Sequence, residues 1–235
     1  LKVTLIEAAP RLLGRVASEA TAEYFRNLHR AHGVDLIEGT GLETLLGETR
    51  VTGAKLTDGR EIAADFVVVG IGIDPNTDLA AAAGITLDNG IAVNAFGQSS
   101  DPHIWAAGDC ASFPYKDTRI RLESVGNAID QAECVAQNML GAEQPYTAKP
   151  WFWSDQYDVK LQIAGLNTGY DRVVVRPGDG MAQSVWYYQS QTLLAVDAMN
   201  DARAYMIGKR LIEAGRSPNP SVITDPATDL KSLLR

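Results

Sequence analysis

Apolar positions along the chain switch between a period of two and a period of three to four, and the switches predict its elements. Val3–Ile6 is an apolar strand closed by Glu7. Ser18–His32 follows as an amphipathic helix, with Ala22, Phe25 and Leu28 inward, Glu19, Glu23, Arg26 and Arg30 outward, and Gly33 as its stop. After a strand at Val34–Ile37, three runs at Leu42–Leu46, Val51–Thr57 and Glu61–Gly70, parted by Gly47-Glu48 and Asp58-Gly59, predict a three-stranded meander. The last ends in DFVVVGIG, a continuous apolar run expected of a strand buried on both faces. Thr77–Gly84 predicts a short helix. Ile91–Val93 and IWAAGDCA, residues 104–111, predict further strands, the second running into a tight Gly-Asp turn ahead of a polar loop at Pro114–Arg119. Ser124–Leu140 then reads as a helix on which Val125, Ile129, Ala132, Ala136 and Leu140 share one face, with Gly141 at its C-cap. From Gln144 the character changes. Pro145 and Pro150 bracket a linker, and strand-like runs at Val173–Val175, Val185–Tyr188 and Leu193–Val196, a helix at Ala202–Glu213 and a closing segment at Asp229–Leu234 predict a separate α+β domain.

Composition narrows the function classes. The chain has 235 residues, is 46% hydrophobic and carries a formal charge of −8 with no dense run of Lys or Arg, so a nucleic-acid binder is disfavoured. No apolar stretch is long enough to span a bilayer and the first residues, LKVTLIEA, lack the regions of a signal peptide, which makes the cytoplasm the expectation. Cys110 and Cys134 form no CxxC and no ligand cluster with His29, His32 or His103, so no metal site is assigned.

The candidate chemistry lies in half of a nucleotide signature. A strand ending in Gly108-Asp109 suits a dinucleotide site, where glycine lets backbone approach the ligand and the acid accepts hydrogen bonds from sugar hydroxyls. No GxGxxG accompanies it: Gly39-Thr-Gly41 lacks the third glycine, and Gly70-Ile-Gly72 runs into Asp74-Pro75. The sequence therefore looks cut at its front. Glu7, an acid closing a strand, reads either as a solvated end or as the carboxylate that holds an adenosine ribose, which favours NAD over NADP. Gly70 and Gly72 read either as a chain reversal or as bare backbone against a ligand. The first turn of the 124–140 helix offers unpaired N–H groups and a positive dipole end to whatever lies near Asp109.

LIEAAPRLLGR, VVVGIGIDPN, IWAAGDCA, RLESVGNAIDQA and PWFWSDQY, in this order and spacing, resemble the FAD-dependent NADH:ferredoxin reductases of bacterial oxygenase systems, within the pyridine nucleotide-disulfide oxidoreductase superfamily. The resemblance spans the whole chain. It implies an α/β fold with two Rossmann-like nucleotide-binding domains, both incomplete, followed by a C-terminal α+β reductase domain. Residues 1–77 would be the later part of the NADH domain, 78–143 the second half of the FAD domain, and 144–235 the C-terminal reductase domain. It implies that Asp109 accepts from the flavin ribityl chain, that Val125 opens the helix facing the pyrimidine edge, and that Trp153, after Phe152, covers the isoalloxazine ring; a core tryptophan is the other reading of Trp153. Glu123 would lie near the nicotinamide carboxamide, Glu7 at the adenosine ribose, Gly70, Ile71 and Gly72 along the nicotinamide ribose, and Arg15 at the adenosine end. Cofactors would be FAD and NAD, and the partners NADH and a [2Fe–2S] ferredoxin or rubredoxin. No catalytic side chain is nominated, because the flavin supplies the chemistry. An NADH oxidase or nitrite-reductase-like flavoprotein is the alternative within the enzyme class. Because apolar edges would be left bare, residues 1–235 alone are expected neither to hold FAD tightly nor to oxidise NADH. The piece is then a fragment of an active reductase, which is the preferred reading, or a split form whose missing half is a separate chain, or a non-enzymatic dimerisation or binding remnant.

Overall fold

Two short parallel strands, β1 (Thr4–Glu7) and β2 (Asp35–Glu38), pair in register from Thr4 against Asp35 to Glu7 against Glu38. A parallel pair needs a crossover, and α1 (Glu19–Ala31) supplies it, burying Ala22, Phe25 and Leu28 as their spacing predicts. The computed structural model describes residues 1–235, and this pair belongs to the first of its two compact units, Leu1–Gly72 and Ile73–Arg235. Arg26 departs from the sequence expectation. Its side chain is only 11% exposed, because the Glu38 carboxylate at the end of β2 lies within reach of the helix and accepts Nε at 2.7 Å. Glu19 and Glu23 both accept from its Nη1, while Nη2 donates to Glu38 Oε1. The hydrogen bond from Arg26 holds the Glu38 carboxyl below the usual glutamate value, and the Leu12 amide adds to this at 2.7 Å.

The meander is present as β3 (Leu42–Leu46), β4 (Gly53–Leu56) and β5 (Glu61–Ala63), antiparallel in that order. Its last strand is shorter than the apolar pattern predicts. Hydrogen bonding ends where the Ala64 amide donates to Thr52, and Phe66–Ile73 is not a strand buried on both faces: Val68 is 85% and Ile71 92% exposed. A central strand requires a paired neighbour on each side, and no strand in the structure pairs with this segment.

In the second unit, α2 (Asp78–Ala82) precedes a small mixed sheet. Its strands are β6 (Ile91–Ala92), β7 (Ala111–Tyr115) and β8 (Thr118–Arg121), with β6 parallel and β8 antiparallel to β7. Two expectations change here. Ile104–Ala107 is not a strand but an irregular approach with one bridge, Trp105 to Gln98, and β7 starts only after the Gly108–Cys110 turn. Pro114–Arg119 is not a polar loop but the tip of the β7–β8 hairpin, because Tyr115 and Thr118 pair across it. The helix α3 (Val125–Met139) follows.

The remaining strands form one five-stranded antiparallel sheet, in the order β11-β12-β13-β10-β9. They are β9 (Trp151–Gln156), β10 (Val159–Gly165), β11 (Arg172–Pro177), β12 (Gln183–Gln189) and β13 (Thr192–Met199). Trp186, Tyr188 and Val196 on one face pack with Ile207 and Leu211 of α4 (Ala202–Glu213), Ile223 of α5 (Pro220–Thr224) and Leu230. Asp201 caps α4 by accepting the Ala204 amide at 2.9 Å. The Arg176 guanidinium, itself buried, donates to the carbonyls of Ile223, Asp225, Pro226 and Thr228 and so ties the segment after α5 to β11.

Candidate functional site

The Gly108-Asp109 turn rests on α3. Gly108 has φ +76°, the left-handed region that glycine tolerates, and a Cβ there would already touch the Ala128 side chain at 3.4 Å. Its amide donates to Gln131 Oε1 at 2.8 Å, and Gln131 is 1% exposed. A buried amide side chain thus satisfies a buried backbone donor and sets the height of the turn on the helix. The Asp109 carboxylate is exposed and accepts no hydrogen bond from the protein.

At the start of α3, Ser124 occupies the N-cap position but does not cap. Its hydroxyl donates to the Trp151 carbonyl at 2.9 Å, so the amides of Val125, Gly126 and Asn127 have no acceptor. Any Cβ on Gly126 would stand 2.4 Å from Trp151 Nε1, so only glycine lets the helix start this close to β9. Trp151 and Trp153 stack with centroids 5.3 Å apart and planes 25° apart, and Lys209 of α4 sits 5.4 Å from the Trp151 ring centre. Trp153 is 43% exposed, and Phe152, on the opposite face of β9, packs against the apolar cluster that includes Phe113 and Leu122. Glu123 forms an ion pair with Arg121 at 2.7 Å, and Arg121 also donates to the Asp109 carbonyl.

The second unit therefore brings Asp109, Glu123, Val125 and Trp153 onto the surroundings of one helix start. The first unit carries the others. Glu7 closes β1 at the carboxyl end of the parallel pair, and its Oε1 accepts the Ala9 amide at 2.8 Å. Its neighbour in register, Glu38, is consumed by Arg26 and Leu12, which leaves Glu7 as the acid whose second oxygen is open at that edge. Arg15, Gly70, Ile71 and Gly72 are exposed, and the three residues 70–72 carry no secondary structure.

The face of α3 that faces the protein is not the apolar one. Gly126, Asn127, Gln131, Val135 and Asn138 are buried, whereas Val125, Ile129, Ala132, Ala136 and Leu140 are exposed. Each buried amide is used. Asn127 donates to Leu122 and accepts from the Tyr146 hydroxyl at 2.9 Å, and Asn138 holds Phe96 and Gln144. Burial, with Asp130 and Cys134 adding to it, pushes the Tyr146 phenol up to about 12. Gln131 and its fellows carry a signal in hindsight: uncharged amides at positions 127, 131 and 138 line one helix face, and the charged Asp130 and Glu133 stay off it. A groove of about 280 Å³ runs along the outward side of α3, lined by His103, Trp105, Ala132, Val135, Ala136 and Met139 among others.

The residues present fit a flavin. Three free amides, an unpartnered carboxylate on a glycine turn and a half-exposed stacked indole provide donors, an acceptor and a ring face without competing protein partners.

Residues 1–132 match the family model of the pyridine nucleotide-disulphide oxidoreductases, and residues 151–234 match the reductase C-terminal domain. A ferredoxin–NAD(P)(+) reductase from a Sphingomonas species is 46% identical over 99% of this chain and 57% of its own length. A ferredoxin reductase from Rhodopseudomonas palustris superposes with a TM-score of 0.95 at 39% identity, over 99% of this chain and 58% of that one. The putidaredoxin reductase–putidaredoxin complex gives the same score and identity over 100% of this chain and 58% of that one. The chain spans somewhat over half the length of the relatives it matches. No helix is long and apolar enough to cross a membrane.

Proposed function

Since the chain belongs to the pyridine nucleotide-disulphide oxidoreductase family, with a reductase C-terminal domain, we propose that it carries part of a flavoprotein that passes electrons from NADH through FAD to a [2Fe–2S] ferredoxin or a rubredoxin of an oxygenase system. The observation that carries this reading is the uncapped start of α3 beside the Gly108-Asp109 turn. Its parts divide as the later part of an NADH domain over 1–77, the second half of an FAD domain over 78–143 and a C-terminal domain over 144–235. With NADH as the donor, the reaction belongs to the cytoplasm.

Bound FAD would supply the redox chemistry, taking one hydride, two electrons with a proton, from NADH and passing the electrons one at a time to an iron–sulfur centre. The protein supplies position and field. Asp109 accepts hydrogen bonds from the ribityl hydroxyls, and the amides of Val125, Gly126 and Asn127 turn partial positive charge toward the pyrimidine edge, where negative charge gathers. Trp153 shields one end of the ring from water. Glu123 addresses the nicotinamide carboxamide, Glu7 the adenosine ribose, Gly70, Ile71 and Gly72 the nicotinamide ribose, and Arg15 the adenosine end. Neither electron step requires a protein nucleophile or base.

The test is an absorption spectrum between roughly 350 and 500 nm with NADH-dependent reduction of an added [2Fe–2S] ferredoxin. The 235-residue chain by itself is expected to be colourless and inactive, in keeping with the bare apolar side of α3 and of residues 66–73. Supplying in trans the amino-terminal part of the Sphingomonas reductase should restore flavin bands and reduce ferredoxin faster than oxygen. Faster reduction of oxygen would replace the reading with an NADH oxidase, and no flavin uptake in any combination would leave a binding module.

A further inference from the structure

We propose that Arg121 is a positioning residue that locks the Gly108-Asp109 turn and the Glu123 carboxylate into one unit. The proposal rests on the reading above that Asp109 and Glu123 address flavin and nicotinamide. A single terminal nitrogen of Arg121 donates to the Asp109 carbonyl at 3.0 Å and stands 2.7 Å from Glu123 Oε1. The side chain is only 10% exposed, and its buried Nε makes no hydrogen bond, so these contacts rather than a wider polar network set where the guanidinium lies.

An independent feature seats the arginine stem. A Cβ on Gly90 would come within 3.0 Å of Arg121 Cδ and 2.6 Å of the Cys110 carbonyl, so the bare glycine backbone opens the channel in which the stem runs beside the turn. The turn is thereby gripped from two sides. Gln131 of α3 accepts from the Gly108 amide at one end, and Arg121 of β8 donates to the Asp109 carbonyl at the other. Arg121 alone extends the grip to Glu123, the residue just before the N-cap of α3. A shift of the carboxylate is therefore transmitted to the Asp109 peptide, and the reverse. Lysine does not reproduce this arrangement, because its ammonium is more strongly hydrated and rides on a flexible stem, whereas the planar guanidinium holds the one nitrogen that serves both acceptors in a preset orientation.

The test compares the chain with Arg121→Lys, Glu123→Met and the double variant by amide hydrogen exchange and by NMR. The Ala111 amide, bonded to the Gly108 carbonyl, reports opening of the turn. Each single variant should speed its exchange roughly tenfold, the loss expected for one charge-assisted hydrogen bond, and the double variant should be no faster. Arg121→Lys should also move the Glu123 side-chain carboxyl signal, which preserved charge alone would not do. Unchanged exchange in Glu123→Met, or additive effects in the double variant, overturns the coupling. Millimolar FAD added to the same samples, with the amino-terminal part of the Sphingomonas reductase supplied in trans, separates this claim from the one beneath it. Shifts at the Asp109 and Val125 amides that weaken in Arg121→Lys support the positioning role. Intact coupling with no flavin response overturns that role together with the functional reading, while the clip survives as architecture.

Discussion

Helices α3 and α4 are both amphipathic, yet they bury opposite kinds of face. Helix α4 lays Ala204, Tyr205, Ile207 and Leu211 against the five-stranded sheet, an apolar floor of Trp186, Tyr188 and Val196. Helix α3 turns Asn127, Gln131 and Asn138 inward and leaves Ile129 and Leu140 exposed. What lies beneath each helix differs. Under α4 the sheet's backbone groups are already paired, and only side-chain packing is on offer. Under α3 lie the irregular 96, 108, 122 and 144 segments, whose unpaired backbone groups need partners, and a row of amides satisfies them. Segments that bind ligands are irregular for the same reason, so polar burial marks the side of the unit where the candidate site sits.

One substitution made in both helices breaks or sustains this contrast. Ile207→Ala, from a residue 6% exposed, should cost about 3 kcal/mol of unfolding free energy in urea titrations. Next in size, Gln131→Leu should cost about 2 kcal/mol, since it strands the Gly108 amide in the interior; a neutral result would mean that α3 does not hold the turn. Tyr146→Phe should cost about 1 kcal/mol at neutral pH through the lost bond to Asn127. It also carries a pH signature. The folded chain keeps the Tyr146 proton more tightly than the unfolded chain, so the stability it adds is complete below pH 10 and is lost as pH rises through about 12. Stability measured across that window should fall less steeply in Tyr146→Phe than in the parent chain. Smallest of all, Ile129→Ala should change stability by less than about 0.5 kcal/mol and lower the binding of a hydrophobic dye. A loss as large as that at Ile207 would show the α3 surface to be packed after all.

Much of the fold was legible because its causes are local. The periodicity of Ala22, Phe25 and Leu28, the Asp58-Gly59 turn between β4 and β5, and the runs that became β11, β12 and β13 all act within a few residues of chain. Reading failed where the cause lies elsewhere in the chain. DFVVVGIG has the composition of a central strand but has no neighbour to pair with, and Arg26 looks solvated until Glu38 is brought to it by β2. Of the candidate site, Asp109, Glu123, Val125 and Trp153 were readable as motif positions. Gln131, Arg121 and Gly126, which hold them in place, were not, because each acts on a partner distant in sequence or in another element.

By itself the sequence determined which residues can form helices and strands, where the chain turns, and the half-signature of a nucleotide site, since propensity, turn chemistry and motif spacing are properties of short stretches. Only the tertiary structure decided which face of α3 is hidden, which of the two acids Glu7 and Glu38 stays available, and how Arg121 joins Asp109 to Glu123. Those outcomes depend on which unsatisfied groups happen to face one another, and burial charges that cost to the assembled neighbourhood rather than to any one segment.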